Sequence, residues 1–234
     1  GALGWHSYLQ AHNIPFESAM AESYNRNIFS RMHRDGMEAT KRLGQERGCP
    51  GDLMGTGRRN AHVFAIAPNA STSIIANTSP SIEPWKSNAF THRTLSGSNF
   101  VKNPALERLL EEKGVNNKEV WKRITANNGS VQDLEFLSDW ERDVFKTAVE
   151  LDQQWVIHHA ATRQEWICQG QSVNIFIPEE IDIKVFSNWH VKAWRDGLKT
   201  LYYCRAVPTR RAEDLTKGVE RIYLDDTECL SCEG

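Results

Sequence analysis

The sequence predicts an α/β fold in which helices alternate with short parallel strands. Three apolar runs of strand length support this prediction, at residues 62–67, 172–177 and 201–206. A proline directly follows the first two runs, so each of them is typical of a buried strand that ends in a turn. Helical periodicity separates the runs, and this alternation favours an α/β layer or barrel with parallel strands.

The first long helix is predicted over residues 19–47. Within it, Met20, Tyr24, Ile28 and Met32 recur every four residues, which places them on one helix face. An apolar face of this kind is normally buried. We therefore expect the stripe to belong to the core.

Capping residues mark helices further along the chain. Asn103 suits a helix N-cap and Pro104 the first helical position, while Gly114 is typical of a helix end. Periodicity predicts further helices over residues 117 or 118 to 126, 130–137, 139–166 and 187–199. Helices thus occupy most of the interval between the first and second predicted strands.

Length and composition predict one compact unit followed by a tail. The chain has 234 residues, of which 40% are hydrophobic, and this suffices for one sizeable core. After Pro208 apolar residues become sparse and charged residues frequent. We therefore assign residues 1–207 to the compact unit and residues 208–234 to a flexible tail.

The charge balance argues against nucleic-acid and membrane-surface partners. Lys and Arg together number 28 and Asp and Glu 30, which gives a formal net charge of -2. No apolar run approaches the roughly 20 residues of a membrane-spanning helix, and no signal-peptide pattern opens the chain. Five cysteines do not make the dense framework of a small secreted domain. We expect a cytoplasmic protein with no nucleic-acid and no membrane partner.

The first candidate site is a loop of small and polar residues after the first predicted strand. It consists of Pro68, Asn69, Ala70, Ser71 and Thr72. Backbone N–H groups in such a turn stabilise a phosphate, because they are unsatisfied donors at the positive end of a helix dipole. The loop contains no lysine, unlike a Walker-type loop. Taken alone, a polar helix cap and turn is the simpler interpretation.

The second candidate site is the pair Tyr202 and Tyr203 in the last predicted strand. Adjacent side chains of a regular strand point to opposite faces, so the two rings stack only if the backbone departs from that geometry. Without such a departure, packing in the core is the simpler interpretation of the pair.

The third candidate site is the dithiol formed by Cys229 and Cys232 near the end of the chain. Two thiols at this spacing suit a reversible disulfide or half of a zinc site. Zinc requires about two further ligands, and the sequence has no second cysteine pair. The spacing therefore favours a redox dithiol, and the acidic residues around it disfavour the thiolate form.

The remaining cysteines and the histidine pair predict no site. Cys49, Cys168 and Cys204 have no partner motif, and we expect buried, inert thiols. His158 and His159 diverge in direction on a helix, which disfavours a shared metal. We predict no metal site in this chain.

Several segments resemble the large subunit of class I ribonucleotide reductases. They read APNASTSIIANTSPSIEP (67–84), THRTLSG (91–97), DVFKTA (143–148), LDQ (151–153) and GLKTLYY (197–203), and the terminal dithiol follows them. The matches run in order over essentially the whole chain. Together they are far more specific than any one of them.

The resemblance implies the C-terminal half of a ten-stranded α/β barrel with a flexible redox tail. It implies that the loop from Pro68 to Thr72 binds the substrate diphosphate, and that Tyr202 and Tyr203 relay a radical. It also implies that Cys229 and Cys232 re-reduce an active-site disulfide. The family often has an acidic residue where this chain has Ala70, which leaves only backbone contacts at that position.

The resemblance also implies partners that complete the enzyme. The family's radical-bearing cysteine, in a finger loop read roughly as Asn-Leu-Cys, has no match here, and the chain opens at Gly1 within a helical stretch. We therefore expect a chain that is inactive alone and needs the N-terminal portion of the large subunit. The implied partners are a metal-containing small subunit as radical source, a ribonucleoside diphosphate, and thioredoxin or glutaredoxin; no cofactor is bound directly.

Two alternatives remain open from the sequence. An adenosylcobalamin-dependent reductase also carries a cysteine tail, although the tyrosine pair argues against it. A non-catalytic phosphate-binding assembly module would keep only the loop and a partner surface.

Overall fold

The computed structural model describes residues 2–94, 97–178 and 180–206, so the predicted tail of residues 208–234, with Cys229 and Cys232, lies outside the described residues. The helices are α1 Trp5–Ala11, α2 Ala19–Arg47, α3 Ala70–Ile75, α4 Pro104–Glu112, α5 Lys118–Ala126, α6 Asp139–Val144, α7 Gln153–Gln164 and α8 Ile183–Arg195. A short 3-10 helix covers Gly51–Leu53. The strands are β1 Ala89–Thr94, β2 Gly97–Lys102, β3 Ile175–Ile177 and β4 Cys204–Ala206.

Parallel pairing joins the three segments that were predicted as strands. β3 pairs with β4 in parallel, with Ile175 opposite Cys204. Upstream of β3, Gln171 forms a parallel bridge with Ile66. The parallel arrangement is thus confirmed, although each regular strand is shorter than predicted.

The first predicted strand, residues 62–67, is reduced to its bridge at Ile66. The backbone N–H groups of Val63 and Phe64 both donate to the Sγ of Cys168, each at 3.2 Å, instead of to a neighbouring strand. A side chain therefore takes the place of a strand partner and shortens the ladder.

The larger core lies where α1, α2 and α7 pack together with β3. Its buried apolar residues include Leu9, Ile14, Phe16, Phe29, Ile157, Ile167 and Ile175. Arg163 of α7 is buried among them, with its guanidinium carbon 5.8 Å from the ring centre of Trp5 and 5.2 Å from that of Phe29. The aromatic rings supply a favourable surface for this buried cation.

The predicted buried face of α2 is confirmed for Tyr24 and Ile28, which pack partly buried against the larger core, and was wrong for the two methionines. Met20 and Met32 are 51% and 37% exposed, and the buried side of the helix contains Asn25 and Phe29 instead. Asn25 is buried because its amide donates to the backbone oxygen of His159 at 2.8 Å and accepts from Arg163. Periodicity of apolar residues could not reveal a helix face that is chosen by a polar network.

A second core lies between α4, α5 and the segment that leads into α6. Its buried residues include Leu106, Leu110, Trp121, Ile124, Leu134 and Val144. The antiparallel hairpin of β1 and β2, which was not predicted, packs against α5, with Phe100 edge-on to Trp121 at 6.5 Å. The chain thus builds a helix-rich second layer beside the larger core.

Helix starts were predicted well because capping is a local interaction. The Asn103 side chain accepts from the backbone of Ala105 at 3.1 Å, directly before α4. Asn117 accepts from Val120 at 3.0 Å and begins α5. Both starts are confirmed.

The helices predicted over residues 130–137 and 139–166 were wrong in extent. The first segment forms turns, and the second is divided into α6 and α7. Each of these helices has its own N-cap, a capping box of Ser138 with Glu141 for α6 and Asp152 for α7. The cap at Asp152 lies within the predicted stretch of residues 139–166 and begins a new helix there.

In the part of the chain that the structure describes, every helix is too short or too polar to cross a membrane.

His159 makes the larger core sensitive to acid. Its Nε2 donates to the backbone oxygen of Phe16 at 2.9 Å, and the ring is buried. Burial, assisted by the charge of Arg163, lowers the pKa of His159 to about 3. Between pH 6.5 and 3 the unfolded chain therefore binds a proton that the folded chain refuses, so stability falls as pH falls.

Replacing this histidine by His159→Gln should weaken the acid sensitivity. Glutamine keeps an N–H donor for Phe16 and has no proton to take up, so the pH slope of unfolding free energy should fall by up to about 1.4 kcal/mol per pH unit below pH 6.5. Urea unfolding between pH 7.5 and 4.5 measures this slope. An unchanged slope would show that His159 is not a source of acid sensitivity.

Candidate functional site

The predicted phosphate loop forms the N-terminus of α3. Asn69 is the N-cap residue, but its side chain donates to the backbone oxygen of Ala2 at 3.3 Å and makes no cap hydrogen bond. Ala70, Ser71 and Thr72 form the first helical turn, and Ser73 donates its N–H to the oxygen of Asn69 at 2.9 Å. The loop is therefore a helix start, as the simpler interpretation held.

The amides of this first turn remain available to a ligand. Among the described residues, no acceptor bonds the N–H groups of Ala70, Ser71 and Thr72. The side chains of all three residues are exposed. Converging free amides at a positive helix end suit an anion, so the helix-cap and phosphate-loop interpretations are compatible.

A cationic side chain missed by the sequence interpretation lies beside this helix. Lys86 lines a cavity of about 170 Å³ together with Ala70, Ser73 and Ile74 of α3. Partial burial lowers the pKa of the Lys86 ammonium, the nearby charge of Arg205 lowers it further, and the charge of Glu83 acts in the opposite direction. The segment that follows α3 thus places a lysine, which the loop itself lacks, at this cavity.

The two tyrosine rings lie together on one side of the chain. Their ring centres are 4.0 Å apart with an interplanar angle of 44°. The hydroxyl of Tyr202 donates to that of Tyr203 at 3.1 Å, and both side chains are nearly half exposed. Packing in the core, the simpler interpretation, is therefore wrong for this pair.

A backbone irregularity explains how adjacent residues share one face. Tyr202 donates its N–H to the oxygen of Val173, and Tyr203 accepts from the N–H of Ile175, each at 2.9 Å. In a regular parallel ladder one residue would perform both tasks. Tyr202 and Tyr203 together occupy the place of one residue, which is a β-bulge, and β4 begins only after them.

The bulge leaves one amide for a side chain to satisfy. The N–H of Tyr203 donates to Oδ1 of Asn174 at 3.0 Å, and Nδ2 of Asn174 donates to Oε1 of Glu83 at 2.8 Å. Glu83 and Asn174 are 5% and 1% exposed. Burial raises the pKa of Glu83, while the bond from Asn174 and the charges of Lys86 and Arg205 act in the opposite direction.

The sequence contained a signal for Asn174 that was not used. Asn174 is a polar residue between Val173 and Ile175 in a mostly apolar predicted strand, and such a residue is normally buried only when its hydrogen bonds are met. Glu83 likewise stands within the apolar run Ile82 to Trp85. Neither pattern identifies the partner, because the partners are far apart in sequence.

Arg205 completes the surroundings of the tyrosine pair. Its guanidinium carbon lies 5.3 Å from the ring centre of Tyr203. The hydrogen bond to Tyr203 raises the pKa of the Tyr202 hydroxyl, and the charge of Arg205 opposes this shift. Tyr202 is therefore a neutral phenol near pH 7, and its oxidation requires the loss of a proton together with the electron.

Comparison with known proteins identifies the family. The family model of the ribonucleotide reductase barrel domain matches residues 51–204, about two thirds of the chain. The chain belongs to the ribonucleotide reductase family. The resemblance read from the sequence and the predicted α/β barrel class are thereby confirmed.

Ribonucleotide reductases similar to this chain occur in viruses and animals. The large subunit of ribonucleoside-diphosphate reductase from Invertebrate iridescent virus 6 is 46% identical over 93% of this chain, which spans 23% of that protein. The zebrafish, Danio rerio, large subunit is 32% identical over 89% of the chain, which spans 30% of it. The chain thus spans less than half the length of the curated relatives it matches.

A solved structure of a ribonucleotide reductase supports the same assignment. The class Id ribonucleotide reductase alpha subunit of Actinobacillus ureae superposes with a TM-score of 0.82 and 43% sequence identity. The match covers 88% of this chain and 38% of the alpha subunit. The fold described above is therefore that of a segment of such a subunit.

Among the described residues of this ribonucleotide reductase chain, the thiols of Cys49, Cys168 and Cys204 make no hydrogen bond to the tyrosine hydroxyls or the α3 amides. Cys204 is exposed, contrary to the expected burial, although partial burial still raises the pKa of its thiol. Cys168 is half-buried and bonds the 63–64 backbone, and Cys49 is half-buried. Among residues 2–94, 97–178 and 180–206, no cluster of histidine, cysteine and acidic residues could hold a metal ion.

Proposed function

We propose that this chain contributes the substrate-diphosphate site and the radical-transfer tyrosines of a ribonucleoside-diphosphate reductase large subunit. The reaction replaces the 2′-hydroxyl of a ribonucleoside diphosphate by hydrogen, releases water and oxidises a dithiol to a disulfide. Its products are deoxyribonucleoside diphosphates for DNA synthesis. Membership of the family and relatives that carry this name support the proposal.

One observation carries the proposal: the cavity beside α3 is connected to the tyrosine pair through Lys86, Glu83 and Asn174. Lys86 lines the cavity beside Ala70 and interacts with the charges of Glu83 and Arg205. Glu83 reaches the Tyr203 backbone through Asn174. A phosphate-binding element and an oxidisable pair in one site are what nucleotide reduction by radical transfer requires.

The phosphate end acts by binding and orientation. Three backbone N–H groups at the start of α3 would donate to the diphosphate oxygens, and the Lys86 ammonium would offset part of the diphosphate charge. Because backbone donors do not depend on a side chain at Ala70, the missing acidic residue at this position does not disable the site. Holding the diphosphate positions the ribose for reaction.

The tyrosine pair acts by moving a hydrogen atom. A phenoxyl radical on one residue takes a hydrogen atom from the hydroxyl of the other, so one phenol re-forms as the other is oxidised. The 3.1 Å hydrogen bond between the two oxygens supplies the path. The radical itself would come from a metal-containing small subunit and pass to a cysteine in the N-terminal portion of the large subunit.

Electrons would return through the dithiol of Cys229 and Cys232. In this proposal thioredoxin or glutaredoxin reduces the pair, which then reduces the active-site disulfide by thiol exchange. The chain binds no cofactor directly and is inactive alone, and the complete enzyme works in the cytoplasm. The spacing of the two cysteines and the absence of a second pair from the sequence support this role.

Removing either phenol should abolish turnover of the large subunit that contains this chain, assembled with its small subunit. Tyr202→Phe and Tyr203→Phe each keep the ring and remove the hydroxyl of that residue. Transfer between the two phenols is then interrupted, so deoxynucleotide formation should fall to background. Substrate affinity should not change. Tyr24→Phe is the matched control, because Tyr24 lies on α2 and its ring contacts Tyr8 and His12, not the tyrosine pair. Retained turnover in the two variants would favour an adenosylcobalamin-dependent reductase instead.

Removing one amide donor should weaken diphosphate binding. Ala70→Pro suits the first helical position, where it deletes an N–H without breaking α3, and loss of one hydrogen bond to a charged group should weaken binding roughly 10-fold to 100-fold. Calorimetry of the large subunit with a ribonucleoside diphosphate measures this. Ala70→Ser, which keeps the amide, should bind normally, and equal affinity of both variants would argue against the site.

Loss of either cysteine of the dithiol should abolish turnover with the protein reductant but not with a small-molecule reductant. Cys229→Ser or Cys232→Ser should abolish turnover with thioredoxin, while dithiothreitol, which reaches the active site directly, should still support it. Cys204→Ser is the control, since this exposed thiol has no role in the proposal. Undiminished turnover with thioredoxin would remove the dithiol from the mechanism.

A further inference from the structure

We propose that Asn174 and Glu83 are positioning residues that hold the tyrosine bulge in place, and so keep the two phenols within hydrogen-bond distance. The inference rests on the proposed radical-transfer role of the pair. It extends that role to two buried residues whose side-chain hydrogen bonds do not involve the phenol oxygens: Asn174 bonds the Tyr203 backbone and Glu83.

The bulge needs a specific acceptor because its ladder is incomplete. In the regular register Tyr203 would donate to the oxygen of Val173, but Tyr202 already occupies that oxygen. An unsatisfied amide in a part-buried position is destabilising, and this penalty would favour the regular register. Oδ1 of Asn174 removes this penalty by accepting the Tyr203 N–H at 3.0 Å.

Glu83 selects the orientation of the Asn174 amide. An asparagine side chain has one acceptor end and one donor end, and only the acceptor end satisfies Tyr203. The Glu83 carboxylate can only accept, so it binds the donor end and turns Oδ1 towards Tyr203. With the amide reversed, two N–H donors would face each other at Tyr203 and two acceptors at Glu83.

The burial of Glu83 supports a positioning role for its hydrogen bond to Asn174. A carboxylate that is 5% exposed is desolvated, and Lys86 and Arg205 are the charged groups that support it electrostatically. An apolar residue of similar volume would avoid that desolvation. Unlike an apolar residue, the carboxylate is a fixed hydrogen-bond acceptor for Asn174.

Loss of the hydrogen bonds of Asn174 and Glu83 should return the chain to the regular register. Tyr203 would then donate its N–H to the oxygen of Val173. Adjacent side chains would alternate between faces, and the two phenols would separate. A displacement of about 1 Å at a reacting pair lowers rates by up to about 10²-fold. Diphosphate binding should not change in an Asn174 variant, because the α3 amides make no bond to Asn174.

The test combines a local probe with kinetics in the complete large subunit. 3-Fluorotyrosine at position 202 reports its own phenol pKa by ¹⁹F NMR titration, and the bond to Tyr203 raises that pKa. In Asn174→Leu and Glu83→Leu the pKa should fall towards that of free 3-fluorotyrosine. With native tyrosine, both variants should lose kcat by up to about 10²-fold, and in Asn174→Leu the KM for the diphosphate should stay constant.

Conservative variants and a control separate positioning from loss of stability. Glu83→Gln keeps an oxygen acceptor for Asn174 and should restore both the raised pKa and turnover. Asn25→Leu removes an equally buried amide of α2 and should lower stability without moving the fluorine titration. If the leucine variants fail to fold, Asn174→Asp serves, because two adjoining carboxylates must share a proton and turnover should rise as pH falls.

Unchanged titration and unchanged kcat in Asn174→Leu and Glu83→Leu would overturn the inference, as would an Asn174→Asp pH profile identical to that of the wild type. Failure of the proposed function has a different signature. Turnover would then survive Tyr202→Phe and Tyr203→Phe, while the fluorine titration would still report whether Asn174 holds the pair.

Discussion

Parallel backbone pairing around residues 171–177 is the constraint on which the rest of the site depends. Gln171 pairs with Ile66, and β3 pairs with β4. Helix α3 begins four residues beyond Ile66, and Asn174 stands three residues beyond Gln171. The start of α3 and Asn174 therefore both follow shortly after the paired residues Ile66 and Gln171. Lys86 and Glu83 lie between these two segments. Without this register the amides of α3 and the tyrosines would have no common site.

Buried polar groups hold the structure around that pairing. Arg163 is 1% exposed, and burial lowers the pKa of its guanidinium to about 9. Its Nε donates to Asn25 at 2.9 Å, and aromatic rings surround the rest. Glu83 and Asn174 repeat the principle beside the tyrosines. A buried hydrogen bond requires a particular donor and acceptor at a particular place, so these groups specify one arrangement more strictly than apolar contacts do.

Local interactions explain which parts of the fold could be predicted. Asn103 and Asn117 bind amides two or three residues away, so their helix starts follow from the sequence. The exposed face of α2 and the division between α6 and α7 could not be predicted in the same way. Met20 and Met32 are exposed, whereas Asn25 is buried. The hydrogen-bond partners of Asn25, His159 and Arg163, lie more than 130 residues away in sequence.

The sequence by itself determined the family, the parallel α/β class, the loop at residues 68–72 and the adjacency of Tyr202 and Tyr203, because these depend on residue order and local chemistry. Tertiary structure decided that the loop is a helix start with free amides, that Lys86 lies beside it, and that a bulge brings the two rings together. The physical reason is that a regular strand separates adjacent side chains. Only a partner from another segment, the buried Asn174 with Glu83, can satisfy the amide that this irregularity leaves over.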